Sequence, residues 1–130
     1  MFYQKIFGIL LFILYISVVL LLNTLPLELA TQINDTVWGE FRLDYLTHAL
    51  IFLPWIFFQF WFRRIKKRSW FLLGFVLALL IEGIQYYLPY RSFNMYDVLF
   101  NVAGLIMSYL LFSGLYLKLQ DFFEEKKYKL

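Results

Sequence analysis

A chain of 130 residues with 62% hydrophobic side chains, 23% aromatics and 16% charged residues is too apolar for an ordinary soluble domain, in which about a quarter of residues are charged. The absence of cysteine excludes disulfides, thiolate nucleophiles and cysteine-ligated zinc or iron–sulfur sites. A formal charge of +3 would suit an acidic partner, but its distribution along the chain follows a membrane rule and not nucleic-acid binding.

The apolar residues gather into four runs, each close to the roughly 20 residues that match the hydrocarbon thickness of a bilayer. The first, Ile6 to Leu22, follows Lys5 and imitates a signal peptide. Leu22-Asn23-Thr24-Leu25-Pro26 lacks the small-x-small pattern of a cleavage site, so the run reads as an uncleaved helix ended by Pro26. Leu27 to Leu43 mixes Glu28, Asp35, Glu40 and Arg42 with Leu27, Ile33, Val37, Trp38 and Phe41. It reads as a loop whose spacing would permit a short interfacial helix anchored by Trp38. Asn34-Asp35-Thr36 matches a glycosylation acceptor, but so short a pattern is usually chance.

The second run, about Asp44 to Phe62, stops at Arg63-Arg64-Ile65-Lys66-Lys67-Arg68, and the third follows from Trp70 to Leu88. Pro89-Tyr90-Arg91-Ser92-Phe93-Asn94 forms a polar connection to the fourth run, Met95 to Leu117, and an amphipathic tail begins at Lys118. The expected fold is all-α: one polytopic membrane domain over residues 1–130, with transmembrane helices at about 6–22, 44–62, 70–88 and 95–117, a cytoplasmic tail over 118–130 and no internal repeat.

Orientation follows from Lys and Arg, which are enriched in cytoplasmic connections. With the N-terminus inside, the cytoplasmic side holds Lys5, Arg63, Arg64, Lys66, Lys67, Arg68, Lys118, Lys126, Lys127 and Lys129, and the outer side only Arg42 and Arg91. Both termini are therefore expected inside. The same asymmetry accounts for the basic turn without any nucleic-acid partner.

Ionisable groups in spanning helices are costly and mark pairing, cavities or function. Asp44 and His48 on the second run, Glu82 and Gln85 on the third, and Asp97 and Asn101 on the fourth all fall toward the outer end. With the helical rise, His48 lies about 6 Å inward from Asp44, Asn101 about 6 Å inward from Asp97, and Glu82 about 9 Å inward from Leu88. Asp44 and His48 share a face at i,i+4, as do Asp97, Asn101, Gly104 and Ser108; Glu82 and Gln85 share one at i,i+3. Convergence on one polar slab is the economical arrangement.

That slab allows several chemistries. His48 could act as a general base oriented by a carboxylate, with burial raising a carboxyl pKa toward neutrality. Asp44, His48, Glu82 and Asp97 could also hold a metal, but the HExxH-type spacing is absent, and neither metal nor cofactor is expected. The plain structural alternative is that these groups only hydrogen-bond helices together. Ser, Thr, Asn or Gln would serve that purpose at lower desolvation cost, which speaks against it. Asp44 and Asp97 are explicable as helix N-terminal caps, whereas Glu82 is not and is the sharpest clue. Arg91, beside Ser92, either pairs with Glu82 or Asp97 or offers a bidentate guanidinium to a lipid-type phosphate or carboxylate. Tyr86, Tyr87, Tyr90, Phe93 and Tyr96 suit interfacial depth, and Gly104 suits close helix contact.

The pattern Glu82-x-x-Gln85-x-x-x-Pro89-x-Arg91-Ser92-Phe93-x-x-x-Asp97-x-x-x-Asn101-x-x-Gly104, with Asp44-x-x-x-His48 before it, resembles the signature of VanZ-like membrane proteins. It departs from that family at Ala49, where an aromatic is usual, at Phe52, where Tyr is common, and at Ser108, where Gly is. The resemblance implies a multi-pass protein of the bacterial cytoplasmic membrane, in a family named after a member associated with resistance to the glycopeptide teicoplanin.

The expectation is an outer-leaflet pocket that binds, and could chemically alter, a membrane lipid or lipid-linked cell-wall precursor. His48, Glu82 and Asp44 are its catalytic candidates, and Arg91, Gln85, Asp97, Asn101 and Ser92 its ligand-binding candidates. The alternative is a non-catalytic subunit or scaffold docked to a larger membrane protein partner. A transporter ranks third, since four helices without repeats make a poor alternating-access device. The sequence leaves oligomeric state open.

Overall fold

The computed structural model describes residues 2–25, 37–38, 41–91 and 93–128. In chain order its elements are α1 (Phe2–Thr24), β1 (Val37–Trp38), β2 (Phe41–Arg42), α2 (Leu43–Phe52), α3 (Trp55–Phe58), α4 (Lys67–Tyr86) and α5 (Met95–Tyr128). The fold is α-helical. β1 and β2 pair antiparallel, Val37 with Arg42 and Trp38 with Phe41, so this part of the 27–43 segment is extended and not an interfacial helix. Pro26, Asn34-Asp35-Thr36 and the remainder of that segment lie outside the described residues, as does Ser92.

Three helices are long and apolar enough to cross a membrane, over Lys5–Thr24, Lys67–Tyr86 and Met95–Phe122. The second apolar run is not the single helix expected over 44–62. Pro54 has no N–H to donate to Leu50, and its ring opposes a continuing helix. α2 accordingly ends at Phe52, and the Leu53 N–H closes a tighter turn onto Leu50 O at 3.3 Å. After α3 the chain advances by i→i+3 bonds, from Gln59 N to Ile56 O (3.1 Å) through Phe62 N to Gln59 O (3.0 Å). Such turns rise further per residue than an α-helix.

α4 stops before Pro89 because the residue preceding a proline avoids the helical region. Tyr87 N and Leu88 N close the end onto Ile84 O and Gln85 O at 3.1 and 3.0 Å. α5 runs on through the expected tail to Tyr128, since nothing after Gly114 breaks a helix and Leu, Lys, Gln and Glu favour one. At about 1.5 Å per residue it is about 51 Å long, well beyond the hydrocarbon thickness.

The core is aromatic. Phe12 of α1 lies 5.7 Å from Trp55, 5.2 Å from Phe58 and 5.4 Å from Trp70, centroid to centroid. Trp55 and Trp70 stack at 5.0 Å and exchange hydrogen bonds: each indole N–H donates to the other's backbone carbonyl, at 3.0 and 3.1 Å. This pair fastens the break at Pro54 to the start of α4. Tyr15 OH donates to Ile51 O at 2.6 Å, a carbonyl near the end of α2. Large apolar residues such as Leu10 and Leu14 on α1, Leu72 and Leu80 on α4, and Leu110 and Leu111 on α5 remain exposed around this core, as lipid-facing surface would.

Candidate functional site

The face shared by Asp97, Asn101, Gly104 and Ser108 on α5 meets α2 and α3 along its length. Asn101 Oδ1 accepts from His48 Nδ1 at 3.1 Å, and Asp97 Oδ2 stands 3.6 Å from His48 Nε2. A Cβ on Gly104 would strike the Ala49 backbone. Ser108 Oγ accepts the Ile56 N–H at 3.1 Å, one of the donors exposed by the helix break. Four residues at helical spacing thus read four successive features of the facing elements.

α4 closes the site with Glu82, which has 0% exposure. One donor atom each from His48, Glu82 and Asp97 lies within 4.8 Å of the others, all three residues being buried. Neither Glu82 oxygen has a well-formed hydrogen bond among the described residues; the Asn94 backbone offers only a weak one, and the charges of Asp97 and Arg91 act on the carboxylate. Asn101 Nδ2 is likewise buried without a partner among them. Two carboxylates this close repel each other unless a proton or cation is held between them.

Of the expected residues, His48, Glu82, Asp97 and Asn101 are brought together, and the half-buried Arg91 lies within electrostatic reach of Glu82. Asp44 is buried one turn from His48 on α2 and is not one of the three whose donor atoms converge; Asn101 and Asp97 of α5 both approach the imidazole. Gln85 faces α1: its Nε2 donates to Asn23 O at 2.9 Å and to Asn23 Oδ1 at 3.3 Å. The end carbonyls of α1 need partners that lipid cannot supply. Gln85 satisfies one, and Tyr90 OH satisfies Thr24 O at 2.7 Å.

Two residues that position the site escaped the sequence reading. Asn94 is the cap of α5: its Oδ1 accepts the Tyr96 N–H at 3.1 Å and its Nδ2 donates to Asp97 Oδ1 at 2.9 Å. Asp97 therefore has one oxygen held by the cap and the other turned to His48. Asn followed three residues later by an acid, before an apolar run, was the available signal. Asn23, buried at the end of α1, was the other; an Asn among leucines is itself a sign of an interhelical bond.

These polar groups occupy one end of the bundle: the last turn of α1, the first turns of α2 and α5, and the last turns of α4. No curated protein and no solved structure matches the chain. A sequence model of the VanZ/LLP1 family matches residues 6–118, taking in every residue of this cluster, and the chain belongs to that family.

Proposed function

We propose that the protein crosses the bacterial cytoplasmic membrane four times with both termini inside, and that its polar end is an outer-leaflet pocket binding the anionic head group of a lipid or lipid-linked cell-wall precursor. The fourth crossing is α2 with α3 and its following turns. Residues 43–52 and 55–58 in α-helix and the rest up to 62 in tighter turns rise at most about 33 Å together, enough for a hydrocarbon layer of about 30 Å. Orientation is supported by the basic residues at the opposite end. Lys66, Lys67 and Arg68 sit at the N-terminus of α4, where the helix dipole disfavours cations, so helix stability does not account for them and sidedness does.

The observation that carries the pocket is Glu82, a fully buried carboxylate in a spanning helix with no well-formed hydrogen bond to either oxygen among the described residues. An intramembrane ionisable group left in that state costs several kcal/mol of stability, on the order expected only where a function holds it. In this reading Arg91 holds the head group, His48 and Glu82 carry any proton transfer, and Asp97 and Asn101 fix the imidazole. The test is native mass spectrometry from nanodiscs. Retained anionic amphiphile should fall sharply in Arg91→Gln and Glu82→Gln at unchanged abundance; equal retention in wild type and both variants would sink the reading.

A scaffold is the second reading, favoured by Gln85–Asn23 and Ser108–Ile56, which are plain interhelical hydrogen bonds. It gains if mild-detergent pull-down returns a stoichiometric membrane protein and if the Glu82 and His48 variants lose abundance and not activity. The family's association with teicoplanin is tested separately, by whether expression raises the drug concentration a susceptible host survives.

A further inference from the structure

We propose that His48, Glu82 and Asp97 are the ligands of one divalent cation of the Zn2+ or Mn2+ type, three of the four residues that the sequence offered for a metal without a recognisable ligand spacing.

The first support is the mutual distance of the donors. Zinc ligands at about 2.0–2.2 Å from a tetrahedral centre stand about 3.3–3.6 Å from one another. The His48 Nε2 to Asp97 Oδ2 separation of 3.6 Å is already of that size, and too long for a good hydrogen bond between the two. The Glu82 donor closes the triangle within 4.8 Å.

The second support is what surrounds the ligands. Metal-bound imidazoles almost always donate their other ring N–H to an oxygen. Here Nδ1 is engaged by Asn101 Oδ1, which leaves Nε2 facing the carboxylates. Asp97 is steadied through its other oxygen by Asn94 Nδ2 at 2.9 Å, as ligating carboxylates usually are.

The third is charge. Two carboxylates and a neutral imidazole total −2, which a divalent cation cancels in a place where an uncompensated charge is expensive. The two Glu82 oxygens, buried and without a well-formed hydrogen bond among the described residues, are the independent sign that the cluster is completed by a group outside those residues. The nitrogen in the donor set selects Zn2+ or Mn2+ over Mg2+ and Ca2+, which prefer all-oxygen sites. The rival is a single proton shared between Glu82 and Asp97.

The inference is independent of any lipid, replaces proton transfer by His48 and Glu82 with metal ligation, and is tested on the full chain in nanodiscs, stripped with chelator and titrated with Zn2+, Mn2+, Mg2+ and Ca2+ alone. Bound metal after desalting should reach about one per chain for Zn2+ or Mn2+ in wild type. Glu82→Gln and Asp97→Asn, which keep shape, should lower affinity at least tenfold, and Asn101→Leu should lower it by about 10–100-fold, the usual effect of losing a ligand's supporting bond. Asp121→Asn, on the exposed far part of α5, should bind as wild type. Co2+ should report the same site by visible absorption that His48→Ala abolishes.

Wild type that takes up no Zn2+ or Mn2+, or Glu82→Gln and Asp97→Asn that bind like wild type, would overturn the assignment in favour of the shared proton. So would preference for Mg2+ or Ca2+. Lipid retained by metal-free wild type overturns only an essential link between the two sites and leaves the head-group pocket standing.

Discussion

Gly104 of α5 lies so close to the Ala49 backbone of α2 that no side-chain atom fits between them. This contact sets the separation of the two helices at the level where Asn101, one turn earlier, meets His48, and where Ser108, one turn later, meets Ile56. The departure from family pattern at Ala49 is consistent with it, because the small side chain leaves the backbone accessible.

Gly104→Ala is therefore expected to destabilise the protein by about 1–3 kcal/mol through overpacking and to disturb the His48–Asn101 bond. Gly83→Ala is the contrast, since a Cβ there meets nothing within 4 Å. It should be neutral or stabilising by about 0.5–1 kcal/mol. Reversible unfolding in mixed micelles measures both; similar losses in the two variants would contradict the packing account.

Ser108→Ala removes the acceptor for the Ile56 N–H in a dry part of the bundle. The expected loss is about 1–2 kcal/mol, because a buried donor is left unsatisfied. Replacing Pro54 by Ala in the same background should recover part of it, as α2 then regains a donor for Leu50 O and extends. A double-mutant cycle checks this, and strict additivity would speak against it.

Gln85→Leu should cost more than Asn23→Ala. The shorter of its two bonds, 2.9 Å, goes to the Asn23 backbone carbonyl, which survives when the Asn side chain is removed. A difference of about 0.5–1.5 kcal/mol is expected. Both variants should keep the metal and lipid behaviour of wild type if folded, because Gln85 serves the α1–α4 contact.

Glu82→Leu is expected to raise stability by about 1–3 kcal/mol in metal-free protein while eliminating function, since a buried acid without a well-formed hydrogen bond is replaced by an apolar group of similar size. Thermal unfolding under chelation is the measurement. A large loss of stability would mean that Glu82 is a structural partner.

Cysteine scanning tests sidedness. A membrane-impermeant thiol reagent added to intact cells should label Phe93→Cys, exposed between α4 and α5, and not Ser69→Cys, exposed near the start of α4. The reverse pattern would invert the assignment of inside and outside.

Membrane residence, helical class and the sharing of faces were legible in the sequence, because each depends on local quantities. Run length answers to bilayer thickness, and a period of 3.6 fixes which residues lie on one side of a helix. The line Asp97, Asn101, Gly104, Ser108 needed nothing more. The break in the 44–62 run is marked in the sequence only by Pro54, a residue that run length alone does not register.

Partners were a different matter, because they depend on how each helix is rotated and which neighbour it meets. His48 turns to Asp97 and Asn101, some 50 residues away on α5. Gln85 and Glu82 sit on one stretch of α4 yet serve different neighbours, α1 and the α2–α5 seam. Those rotations are set by the Gly104–Ala49 approach and by the Trp55–Trp70 pair that joins the Pro54 break to α4. The amino-acid sequence by itself decided that polar groups would collect at one end of an apolar bundle. Only the packing of aromatics and small residues at long range decided that three of them, one imidazole and two carboxylates, would face each other.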